Sequence, residues 1–129
     1  MSDHNCDGQS RRIWHSLHKL GYADWLEIEI KFFENVGLSS NSSDEEVWLY
    51  CQQNNFYLLT GNRSTKAGAA SLHAVLDRLV NEKSLPVITI GDLNRVIHNR
   101  VYCEACAEAI AEIVLNAELY VGVSRLYIP

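Results

Sequence analysis

The sequence predicts an α/β fold, a three-layer α/β/α sandwich with a mostly parallel central sheet, built as one domain over residues 1–129. Three observations lead there. Segments with the apolar spacing of helices alternate with short apolar runs along the chain. Two of those runs, "FYLLT" and "LPVITI", are almost wholly apolar, the pattern of strands buried on both faces. No linker or internal repeat divides the chain, and 129 residues at 47% hydrophobic suffice for one core but not comfortably for two.

The elements follow in order. Ile13, Leu17 and Leu20 recur at i, i+4 and i+7, which predicts an amphipathic helix from Gly8 to Leu20. Arg11, Arg12, His15, His18 and Lys19 give it a basic, histidine-bearing outer face, and Gly21 can end it. "WLEIEIKF" alternates apolar and charged residues and predicts a half-exposed strand at or near a sheet edge. The polar run "SSNSSD" is a loop, and Ser43 stands three residues before Glu46 as in a capping box, so a helix is expected from about Asp44 to about Asn54.

"FYLLT" is then a short buried strand and "GNRSTKAGA" a loop. Leu72, Val75, Leu76, Leu79 and Val80 mark the next helix, and "LPVITI" the next strand, stopped by Gly91-Asp92. "LNRVIHNR" reads as a loop or short helical turn. Cys103, Cys106, Ile110, Ile113 and Ala117 trace one stripe of the longest predicted helix, from about Val101 to Leu119. "SRLYIP" is expected to form the final strand.

A net charge of −5 in a chain that is 21% charged argues against a broad basic face for nucleic acid or membrane. Any nucleic-acid contact must be local. No apolar segment reaches the length of a membrane span, and "MSDHNCDGQSRR" lacks the apolar centre of a signal peptide, so a cytoplasmic protein with no membrane partner is expected. Cys6, Cys51, Cys103 and Cys106 are expected to stay reduced. Cys103-x-x-Cys106 could be half a zinc site or a redox pair, but no second pair has matching spacing and both thiols fall on the apolar stripe, so core packing is the reading preferred. His15 and His18 are read as a solvated helix face, and Trp14, Trp25 and Trp48 as core anchors.

In open parallel sheets, functional groups gather beyond the C-terminal ends of the strands. Here those ends carry Thr60-Gly61-Asn62-Arg63 and Gly91-Asp92. Asp44, Glu45 and Glu46 have a full structural explanation, because acids in a first turn complement the helix dipole. Crowded carboxylates are also what a hard cation requires. Asn62 and Arg63 can likewise be turn residues, or Arg63 with Lys66 can face a phosphate through guanidinium and ammonium donors.

The motifs "DHNCDGQ", "SSDEEVWLYCQ", "LLTGNR", "LPVITIG" and "RLYIP", taken in this order, resemble a bacterial family of PIN-like domains, and the resemblance covers nearly the whole chain. It implies a ribonuclease-type fold in which carboxylates at strand ends hold magnesium or manganese that activates water against a phosphodiester. Carried over by position, Asp3 matches the acid after the first strand and Asp44 the acid at the helix start, with Glu45 as its neighbour. Asn62 takes the place of the acid in the family's Thr-x-Asp pattern. Asp92 after the later strand is a candidate replacement ligand, and Arg63 and Lys66 are candidate phosphate contacts.

Three departures stand beside the resemblance. Only Met1 and Ser2 precede Asp3, so the first strand is a stub or the start is assigned late; position 62 is neutral; and Asp92 need not turn inward. Two function classes are therefore carried forward. One is a divalent-metal-dependent nuclease acting on RNA. The other is a PIN-like binding or regulatory module without catalysis, acting through a protein partner or as a homodimer. A cysteine-based metal or redox protein is the distant third.

Overall fold

The computed structural model describes residues 1–62 and 71–129. Its sheet has three parallel strands in the order β1 (Leu59–Thr60), β2 (Val87–Ile90), β3 (Arg125–Ile128). Thr60 pairs with Thr89, and Thr89 with Tyr127. Beside β1 runs the N-terminal stub, where Ser2 forms an isolated parallel bridge with Leu59 and the Asp3 amide donates to the Leu59 carbonyl at 2.8 Å.

The helices are α1 (Asp7–Lys19), α2 (Tyr22–Trp25), α3 (Phe33–Val36), α4 (Asp44–Gln53), α5 (Leu72–Leu79), α6 (Leu93–His98), α7 (Arg100–Leu115) and α8 (Ala117–Tyr120), with a 3-10 turn at His4–Cys6 ahead of α1. Strand alternation divides the apolar side chains between two clusters. Leu59, Ile88, Ile90 and Ile128 join Ile13 and Leu17 of α1 and Cys106, Ile110 and Ile113 of α7. Leu58 and Val87 join Val47, Trp48 and Cys51 of α4 and Leu72, Val75 and Leu76 of α5. The α/β class is therefore as expected, with the strands between helices.

Local signals explain most boundaries. Gly21, at φ 85°, closes the helical run of α1, a conformation with little cost only for glycine. Ser43 accepts from the Glu46 amide at 3.1 Å while Glu46 accepts from the Ser43 amide at 3.2 Å, so the expected capping box starts α4 at Asp44. Asp92 caps α6, which makes "LNRVIH" a helix of six residues.

Two elements differ from expectation. "WLEIEIKF" does not form a strand: Trp25 ends the turn of α2, Glu27 takes a left-handed φ of 53°, and Ile28–Phe32 carries no ladder. Its backbone link to the neighbouring Met1–Asp3 segment runs from the Ser2 amide to the Lys31 carbonyl at 2.8 Å. The alternation still shows in burial, with Ile30 and Phe32 inside and Glu29 outside. Trp25, expected as a core anchor, is 66% exposed, whereas Trp48 is buried.

The long C-terminal helix breaks at Asn116, whose side-chain amide donates back to the Glu112 carbonyl at 3.1 Å. Such side-chain competition with the backbone ends helices. All four cysteines are free and buried, and Cys103 and Cys106 belong to the larger core cluster, as the stripe predicted. Among the described residues, no helix is long and apolar enough to cross a membrane.

Candidate functional site

Alternation along β1, β2 and β3 sends Thr60, Thr89, Arg125 and Tyr127 to the face shared with α4 and α5. Both threonines are fully buried, so their hydroxyls need partners. Thr60 Oγ1 donates to Asp3 Oδ2 at 2.7 Å and accepts from the Asn62 amide at 3.0 Å. One hydroxyl thus fixes the first acid and the turn after β1 together.

Asp44 enters from α4. Its carboxyl is held above the ordinary aspartate value, first by burial and then by the negative charge of Asp3, while the Leu72 amide at the start of α5 and the Arg125 guanidinium oppose the shift. Two carboxylates near enough to repel, each arriving from a different element, form an electrostatic site rather than a surface coincidence.

The cation facing them was absent from the sequence-based site. Arg125 Nη1 donates to Thr89 Oγ1 at 2.9 Å and to the Asn62 carbonyl. Its Nη2 is buried with no hydrogen-bond partner among the described residues. Burial lowers the guanidinium pKa, against the raising influence of Tyr127 and Asp44, yet an arginine stays charged under all ordinary conditions. The signal in the sequence was a charged residue opening an otherwise apolar strand, "RLYI", where side-chain alternation points it along the sheet face.

The structure thus brings Asp3, Asp44 and Asn62 together with Thr60, Thr89 and Arg125. It takes Glu45 elsewhere: that carboxylate is half exposed and paired with Arg78. Asp92 is not brought in either. Its Oδ1 accepts from the Arg95 amide at 3.1 Å, and it borders a separate cleft with Arg95, Asn99 and Tyr102. Among the described residues no three acids, histidines or cysteines form a metal-holding group. Arg63 and Lys66, the expected phosphate contacts, lie outside the described residues.

The remaining donor set consists of oxygens: the Asp3 and Asp44 carboxylates, with the Thr60 hydroxyl behind Asp3. Such oxygens suit magnesium or manganese rather than a softer metal. A cleft of about 250 Å³ opens beside Asp3, lined also by Asn5, Cys6, Gly61, Asn62 and Leu93. Comparison of the chain with protein-family models, with curated proteins and with solved structures found no match.

Proposed function

We propose that the chain is a PIN-like domain, a three-layer α/β/α sandwich whose site binds magnesium or manganese and hydrolyses phosphodiester bonds in RNA. The observation that carries this reading is the pair Asp3, beside the C-terminal end of β1, and Asp44, whose carboxyl is held above the ordinary aspartate value by burial and by the charge of Asp3. A hard cation between them relieves that repulsion. Bound there, the metal supplies Lewis-acid stabilisation of a phosphoryl oxygen and a more acidic water.

The chain's own residues do the rest. Asp3 and Asp44 hold the cation, and Thr60 keeps Asp3 in one rotamer. Asn62 shapes the turn and offers a neutral contact. Arg125 directs positive charge at the site through a donor that has no hydrogen-bond partner among the described residues, suited to the charge that develops on a transferring phosphoryl group.

Calorimetric titration with Mn²⁺, followed by incubation with single-stranded RNA, tests the reading. Wild-type chain should bind the ion and cleave, and Asp3→Asn and Asp44→Asn should lose both while remaining folded. Binding and cleavage unchanged in both variants would place the activity elsewhere. The second reading, a binding module that has lost catalysis and acts through a protein partner, is favoured by one feature: position 62 is Asn, a weaker ligand than a carboxylate. Absence of cleavage of any RNA, with ion binding weak or absent, is the outcome it requires.

A further inference from the structure

The net charge conceals a local concentration of cations. A groove of about 640 Å³ runs between α1 and the α6–α7 corner, lined by Arg11, Arg12, His15, His98 and Arg100, and among the described residues no acid lines it. Its floor is apolar, with buried Val96 and Cys103 beneath. Neighbouring acids offset only part of the charge. Arg11 pairs with Glu34 at 3.0 Å, and Glu104 bonds Lys19 at 3.1 Å while lying 3.8 Å from Arg100. Arg12 makes no ion pair among the described residues, and the Arg100 side chain is 80% exposed.

The groove lies on the same seam as the candidate site. The cleft beside Asp3 lies between the 3-10 turn ahead of α1 and Leu93, the first residue of α6. Further along the same two helices come Arg11, Arg12 and His15 on one side and Ile97 and His98 on the other. At about 1.5 Å rise per residue, Asp7 to His15 spans roughly 12 Å. Guanidinium groups spaced along such a path, with Arg12 outside any ion pair among the described residues and Arg100 largely exposed, match a chain of phosphates.

We infer that this groove is a binding track for the sugar–phosphate backbone of single-stranded RNA, leading to the Asp3 cleft. The groove supplies binding by itself, and only the direction of the track rests on the nuclease reading. Positive grooves over an apolar floor hold single strands by charge and by base contact, without reading sequence.

Fluorescence anisotropy with a labelled oligouridine of about twelve nucleotides tests it, in the absence and presence of polyglutamate as competitor. Arg12→Glu with Arg100→Glu is the variant of choice, because both side chains are exposed. Affinity should fall at least about 10-fold, and removing two phosphate contacts should reduce the slope of log K against log salt by about 1.4 between about 50 and 200 mM. The milder Arg12→Gln with Arg100→Gln should fall between wild type and the reversed pair. Unchanged affinity and slope would overturn the inference, as would polyglutamate binding that displaces RNA at equal charge concentration. Mn²⁺ titration of the same variants should match wild type; loss of ion binding in Asp44→Asn alone then reports on the metal site separately from the track.

Discussion

Replacing Thr60 by Val keeps the shape and strand preference of a buried β-branched residue while deleting one hydroxyl. That hydroxyl donates to the Asp3 carboxylate at 2.7 Å and accepts the Asn62 amide at 3.0 Å. A hydrogen bond to a charged group contributes about 1.5–3 kcal/mol and a neutral one about 0.5–1.5 kcal/mol. Asp3 and Asn62 are both partly exposed, so water recovers part of this, and a loss of about 2 kcal/mol is expected. At about 2.1 cal/mol/K per residue, the unfolding entropy of this chain is about 0.27 kcal/mol/K, which converts the loss to about 7 °C in Tm.

Thermal unfolding followed by circular dichroism measures it. Mn²⁺ titration of the same sample should show weakened binding, because Asp3 is no longer held. Thr60→Ser, which restores the hydroxyl, should recover ion binding although it forgoes a buried methyl worth about 0.8 kcal/mol. A Tm drop under about 2 °C for Thr60→Val, with ion binding intact, would refute the view that this hydroxyl organises the site.

Three further outcomes are expected. Burial and the charge of Asp3 raise the Asp44 pKa above the ordinary aspartate value, so the folded chain holds that proton more tightly than the unfolded one and the ionised form costs stability. The stability of Asp44→Asn relative to wild type should therefore rise as pH increases from about 3.8 to neutrality, read from urea midpoints across pH; a flat difference would contradict it. The native thiols should resist a disulfide reagent near pH 8, since burial pushes Cys6 up, Cys51 to about 11 and Cys106 to about 12; labelling should appear only with unfolding, and fast labelling of the native chain would be inconsistent with this packing. A Cβ on Gly61 would lie 2.5 Å from a Leu93 methyl, so Gly61→Ala should cost about 1–3 kcal/mol. That cost should largely vanish in a Leu93→Ala background, a coupling that equal costs in both backgrounds would exclude.

Much of the fold was legible in the sequence because it is written in local chemistry. The helix over α1 follows from Ile13 and Leu17 at i and i+4, the start of α4 from the Ser43–Glu46 box, and β2 from an unbroken apolar run. The approach of Asp44 to Asp3 could not be read from spacing or composition, since neither joins residues 41 positions apart.

What could not be read locally depended on partners. "WLEIEIKF" has the period of a strand, but a strand needs a paired neighbour, and the backbone link this segment makes to Met1–Asp3 is the Ser2 amide on the Lys31 carbonyl. Asp92 and Glu45 carry the charge of metal ligands, yet one caps α6 and the other meets Arg78. Arg125 reads in the sequence as an ordinary charged residue beside a strand. Parallel register with β2 sets it on the face of Thr89, within reach of Asn62 and Asp44. Residue type and spacing specify which segments coil, extend and bury their apolar faces, because those preferences act over a few neighbours. Which charges meet is set by strand order and register, which bring together side chains that the chain itself keeps far apart.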